Sequence, residues 1–125
     1  MNYPEISVNV VTRYLPAQSV PDESRYAFSY TITIRNDSLK EVKLLYRHWI
    51  ITDANGHIRD ISGEGVVGTQ PVILPDKNFT YTSGVILNTP IGSMYGEYLF
   101  IITDNTLYFK APIKPFQLAI PHIIH

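Results

Sequence analysis

The sequence predicts an all-β sandwich of seven to eight antiparallel strands in two packed sheets, and three observations carry that expectation. Tyr26, Phe28, Tyr30, Ile32 and Ile34 alternate with Ala27, Ser29, Thr31 and Thr33, the period of a strand with one buried and one wet face. Asn55-Gly56 falls between two apolar runs, a dipeptide that supplies the positive φ angles of a tight hairpin. Nine prolines are scattered from Pro4 to Pro121. They leave few windows for a stable helix, and none of these carries a helical period.

Ile6–Tyr14 is the first strand in chain order. Tyr26–Ile34 is the second, ended by Asn36-Asp37-Ser38, whose short polar side chains bond nearby backbone in turns. Lys43–Thr52 (KLLYRHWIIT) alternates less cleanly because apolar residues fall on both faces; Trp49 within it is expected to anchor the core. Asp53-Ala54-Asn55-Gly56 follows as a type I′ hairpin turn, with His57–Ile61 returning antiparallel. Asn78–Ile86 is a further strand, and Glu97–Thr103 with Thr106–Ala111 forms a hairpin about Asp104-Asn105. A short last strand near Phe116–Ala119 is limited by Pro115 and Pro121.

A length of 125 residues fits one domain, 1–125, around one core. Hydrophobic residues at 45% against 17% charged exclude a disordered polar chain. Ten Lys+Arg against eleven Asp+Glu give a net charge of −1, so no global field draws the chain to nucleic acid or to an acidic membrane. Zero cysteines exclude disulfides, thiolate catalysis and Cys-ligated metal. The run Leu99-Phe100-Ile101-Ile102, with Tyr98 before it, is far short of the roughly 20 residues of a membrane span. Met1-Asn2-Tyr3-Pro4-Glu5 carries neither the basic nor the apolar part of a secretory signal. A cytoplasmic location is the expectation.

A series of ordered motifs runs along the chain. Tyr14-x-Pro16-x-Gln18-Ser19-x-Pro21 precedes the aromatic strand Tyr26-x-Phe28-x-Tyr30-x-Ile32-x-Ile34-x-Asn36, and Leu45-x-Arg47-His48-Trp49-x-Ile51-x-Asp53-x-x-Gly56 follows. Next come Gly63-x-Gly65-Val66-Val67-Gly68-x-Gln70-Pro71 and Phe79-x-Tyr81-x-Ser83-Gly84. Thr89-Pro90-x-Gly92-x-Met94-x-Gly96-x-Tyr98 and Pro115-Phe116-x-Leu118 complete the set. From about Ile6 onward the sequence resembles the ApaG family. That resemblance implies a single ApaG domain with an immunoglobulin-like, fibronectin type III-like β-sandwich. It also implies a binding module with no established catalysis. Bacterial members of the family are associated with cobalt resistance and magnesium efflux, and are often encoded beside a diadenosine tetraphosphate hydrolase. A similar domain in eukaryotic F-box proteins is thought to serve protein contacts.

Gly63-Glu64-Gly65-Val66-Val67-Gly68 matches the phosphate-cradling pattern G-x-G-x-x-G. In dinucleotide folds that loop opens a helix, but here Thr69-Gln70-Pro71 follows with no helical pattern. Its glycines therefore read as a β-loop needing positive φ or close backbone approach. One ligand hypothesis survives: an anion nest at Gly63, Gly65 and Gly68, with Arg47 and Arg59 adding forked contacts to pyrophosphate, nucleotide or another phosphate-containing ligand.

Metal and catalytic patterns fare worse. His48 and His57 flank the hairpin, and His122 and His125 stand three apart beside Pro121. With no cysteine and no H-E-x-x-H, no metal site is assigned. Asp53-Ala54-Asn55-Gly56 begins like a calcium loop, but its glycine is fourth rather than sixth. In Gly92-Ser93-Met94-Tyr95-Gly96 the serine directly follows its glycine, so G-x-S-x-G is not met. No catalytic residue and no cofactor are assigned. The leading expectation is a non-catalytic module for an unidentified protein partner, working through a sheet face, an unpaired edge or the apolar tail Leu118–His125. That tail either pairs within the domain or covers a second copy in a homodimer.

Overall fold

The computed structural model describes residues 3–121. Its strands are β1 (Ile6–Tyr14), β2 (Tyr26–Asn36), β3 (Val42–Asp53), β4 (Ile58–Glu64), β5 (Val72–Ile73), β6 (Asn78–Leu87), β7 (Ile91–Ile102) and β8 (Leu107–Ala119). Two 3₁₀ turns, Pro16–Gln18 and Pro21–Glu23, each open on a proline, whose fixed φ suits a first helical position. There is no α-helix among the described residues. One antiparallel sheet has the order β1-β2-β6, and the other β4-β3-β7-β8 with β5 also on β3.

The inner faces of the two sheets form one core. β2 contributes Phe28, Tyr30, Ile32 and Ile34, and β7 contributes Met94, Tyr98, Phe100 and Ile102. Register explains the blurred pattern of β3. Its pairing with β7 shifts between Leu44 and Tyr46, so one extra residue resets the phase. Val42 and Leu44 face the core before the bulge, and Trp49 and Ile51 after it. The apolar residues thus share one face in two phases.

A second shift, between Met94 and Gly96 on β7, opposes Lys114-Pro115 on β8. It merges the two expected segments Thr106–Ala111 and Phe116–Ala119 into one strand that carries Pro112 and Pro115. Proline is tolerated there because β8 is an edge strand and Pro115 lies in the bulge. One further expectation is corrected: β7 begins at Ile91 rather than Glu97. The two-residue strand β5 is an addition that no sequence period marks. In the β3–β4 hairpin only Gly56 of the central residues has positive φ, +82°. The Gly56 amide donates to the Asp53 carbonyl and the Asp53 amide to His57, a three-residue loop ending in a left-handed glycine rather than a type I′ turn. The primed geometry occurs instead at Val67 (φ +42°) and Gly68 (φ +81°), where Val66 and Thr69 exchange both backbone hydrogen bonds.

Candidate functional site

The two long sides of the sandwich differ. On one, β1 lies against β8. On the other, β4 and β6 are the outermost strands of their sheets, and no comparable approach joins them. Between them a cleft of about 600 Å³ reaches inward to Phe28, Tyr30, Trp49 and Val85.

Post-bulge phase determines which β3 and β4 residues look into this cleft. Arg47 pairs with Gly63, Trp49 with Ile61 and Ile51 with Arg59, so three cross-strand pairs share one face. Trp49 is 2% exposed and packs edge-on against Tyr30 (5.6 Å), Phe116 (5.8 Å) and Tyr98 (6.3 Å). Its indole Nε1 is the one buried side-chain polar atom among the described residues without a hydrogen-bond partner. Such an orphan donor in a native core asks for an explanation.

Of the residues singled out from the sequence, Arg47, Arg59 and Gly63 come together. Arg47 Nη1 donates to the Glu64 carbonyl at 2.9 Å and to the Gly65 carbonyl at 3.0 Å. Gly63 lies beneath its guanidinium, where a Cβ would come within 3.0 Å of Nη1 and Nη2. Arg59 Nη2 donates across the cleft mouth to the Ile86 carbonyl at 2.6 Å. Neither arginine forms an ion pair among the described residues, and no carboxylate lines the cleft.

The glycine loop offers Arg47 carbonyls rather than amides. The Gly65 amide donates to the Leu45 carbonyl at 2.7 Å, the Val66 amide to Thr69 at 2.8 Å and the Thr69 amide to Val66 at 3.0 Å. A Cβ on Gly65, whose φ is +59°, would lie 2.0 Å from the Thr69 carbonyl oxygen, so backbone crowding requires this glycine. Gly68 sits at the turn with nothing within 4 Å of its would-be Cβ.

Behind the cleft, Tyr81 and Tyr98 join the two sheets through a 2.5 Å hydroxyl–hydroxyl hydrogen bond. Desolvation pushes both phenols well above the ordinary tyrosine range, while the charge of Arg47 pulls the other way. Both tyrosines fall within motifs of the sequence, but nothing in the chain signals their pairing, because the partners lie in different sheets.

The remaining candidates lie elsewhere. His48 faces out from the larger sheet, with Nε2 2.6 Å from Asp60 Oδ1 and Nδ1 3.8 Å from Glu97 Oε1. His57 Nδ1 is 3.8 Å from Asp53 Oδ2. The described residues contain no group of three or more His, Cys, Asp or Glu side chains placed to hold a metal ion. His122, His125 and the end of the tail lie outside the described residues. Up to Ile120 the tail packs within the domain: Leu118 is buried, and the Ile120 amide bonds the Pro90 carbonyl at 3.1 Å. Among the described residues no helix is long and apolar enough to cross a membrane.

Known proteins resemble this chain over nearly its whole length. The family model described as the ApaG domain matches residues 16–102. Protein ApaG of Photobacterium profundum is 54% identical over 122 residues, covering 98% of this chain and 95% of its own. Protein ApaG of Azotobacter vinelandii is 47% identical over 121 residues, covering 97% and 95%. A crystal structure of an ApaA protein from Bordetella pertussis superposes with a TM-score of 0.92 at 42% identity, over 95% of this chain and 96% of that one. A protein from Archaeoglobus fulgidus, 12% identical with a TM-score of 0.51, shares the fold alone. The relatives are named for the family and not for a reaction. With the family model spanning most of the sandwich and near-full-length relatives at about half identity, the chain belongs to the ApaG family.

Proposed function

We propose that this ApaG-family chain is a non-catalytic protein-interaction module of the cytoplasm, and that its working surface is the cleft between β4 and β6. The observation that carries this reading is the asymmetry of the sandwich. One side is closed by β1 against β8, while the other leaves two strand edges unpaired around an aromatic-floored cleft. Unpaired edges accept strands, and buried aromatic and arginine side chains are the usual anchors of recognition. The association with cobalt resistance and magnesium efflux then acts through the bound partner.

A photo-crosslinking residue placed in turn at Ile61, Ile86 and Thr33 tests this. Ile61 and Ile86 border the cleft, and Thr33 lies on the outer face of the smaller sheet. Discrete protein adducts are expected at the first two and not at Thr33. An adduct of twice the chain mass would identify the partner as a second copy. Adducts at all three positions, or at none, would contradict the reading.

A second reading is favoured by the uncompensated charges of Arg47 and Arg59. In it the chain is a receptor for a phosphate-containing ligand, with Gly63, Gly65 and Gly68 shaping the loop beside them. Amide shift mapping with pyrophosphate and ATP, each with and without magnesium, separates the two. Saturable shifts confined to Gly63–Gly68 and the two arginines would favour the receptor. Silence up to millimolar ligand would leave the module.

A further inference from the structure

Resting on the module reading, we infer that the cleft takes an extended acidic segment of a partner protein. The segment adds as a strand to β6 and places an apolar and an acidic side chain, two residues apart, over Trp49 and the arginines.

The four sheet edges point to β6. β8 carries Pro112, Pro115, Lys110, Lys114 and a bulge, and β1 lies against it. These devices keep an edge from pairing with foreign strands. β4 carries Arg59, Asp60 and Glu64. β6, Asn78–Leu87, has no charged residue and no proline, and its ladder with β2 runs without a register shift. It is the long edge that carries no charge, no proline and no bulge. The Arg59 side chain bonded to the Ile86 carbonyl is what occupies part of it.

Chemistry selects the occupant. A strand laid beside β6 turns alternate side chains inward, as Tyr81, Ser83 and Val85 do. The inward positions meet the apolar floor at Phe28 and Trp49, flanked by two arginines that form no ion pair among the described residues. An apolar side chain fills the floor, and a carboxylate satisfies a guanidinium fork bidentately. A free phosphate would match the arginines while leaving the apolar floor and the β6 edge unused. This favours a peptide.

The test pans a random decapeptide display library against the full chain. The controls are Arg47→Gln/Arg59→Gln and, because Arg47 also holds loop carbonyls, Ser83→Glu. The latter adds a carboxylate to the cleft and leaves both arginines in place. The wild-type chain should enrich peptides with Asp or Glu two residues from an apolar residue. Both controls should weaken the selected peptide by about tenfold or more, the scale of one lost charge-assisted hydrogen bond. Shifted amides should map to Asn78–Leu87. Cleft-directed peptides without acidic preference, unaffected by either control, would overturn this inference and leave the module reading standing. No enrichment, or peptide shifts on another face, would overturn it as well. Cleft adducts in the crosslinking experiment would then still show whether the module reading survives.

Discussion

The β1–β8 side and the β4–β6 side of this sandwich are built from similar apolar strands but finished differently. At the first, Phe109 is buried and stacks on Phe100 at 5.3 Å, and two prolines and a bulge shape the outer strand. At the second, Ile58 and Ile61 on β4 are 67% and 40% exposed, and a single arginine spans the gap to β6. A stable fold needs only enough closed core to offset chain entropy. A side left open with its aromatic floor in place is therefore available for recognition.

The largest contrast is expected from truncation on the two sides. Phe109→Ala should cost about 3–5 kcal/mol in denaturant unfolding, the range for a buried aromatic. Ile61→Ala should stay within about 0.5 kcal/mol, as exposed substitutions do, while abolishing the crosslinked adduct at Ile86. Equal costs would erase the distinction between the sides.

The Tyr81–Tyr98 bond ties the sheets behind the cleft, and its removal should be non-additive. Tyr81→Phe or Tyr98→Phe alone leaves one buried hydroxyl unpaired and should cost about 1–3 kcal/mol, whereas the double variant should cost less than the sum. Their raised pKa values give a pH signature. The fold holds both protons where the unfolded chain releases them, so the contribution is full below the unfolded tyrosine value of about 10 and falls as pH rises above it. Denaturation midpoints measured from pH 8 to 12 should decline more steeply for the parent than for the double Phe variant.

At the loop beside the cleft the expected effects are smaller and of both signs. Gly63→Ala drives a methyl into the Arg47 guanidinium, so it should weaken binding of the selected peptide more than it lowers stability. Val67, exposed and β-branched, stands at φ +42°, a region that costs such residues strain. Val67→Gly or Val67→Asn should stabilise the fold by up to about 1 kcal/mol, read as a raised denaturation midpoint.

Much of this architecture was legible because strand periodicity is local. Tyr26–Ile34 announced β2, and the bounds of β1 were read to the residue. What escaped depended on neighbours. The bulges that reset β3 and carried β8 through Pro115 are properties of paired strands, not of one. Gly56 drew attention to the wrong primed turn because Asn55 tolerates either sign of φ, while Val67 in the left-handed region runs against its residue type. At the site, the sequence offers Arg47 and Arg59 as phosphate ligands, yet the cleft that both line is formed with Trp49, Phe28 and Tyr30 from both sheets. No spacing in the chain encodes that meeting.

Occupation of the cleft is read out directly by an amide shift map of the labelled chain, titrated separately with the library-selected acidic peptide and with pyrophosphate. Saturable peptide shifts are expected along Asn78–Leu87 and around Trp49, Arg47 and Arg59, with none from pyrophosphate. Peptide shifts on the β1–β8 side, or pyrophosphate shifts confined to Gly63–Gly68, would contradict this expectation.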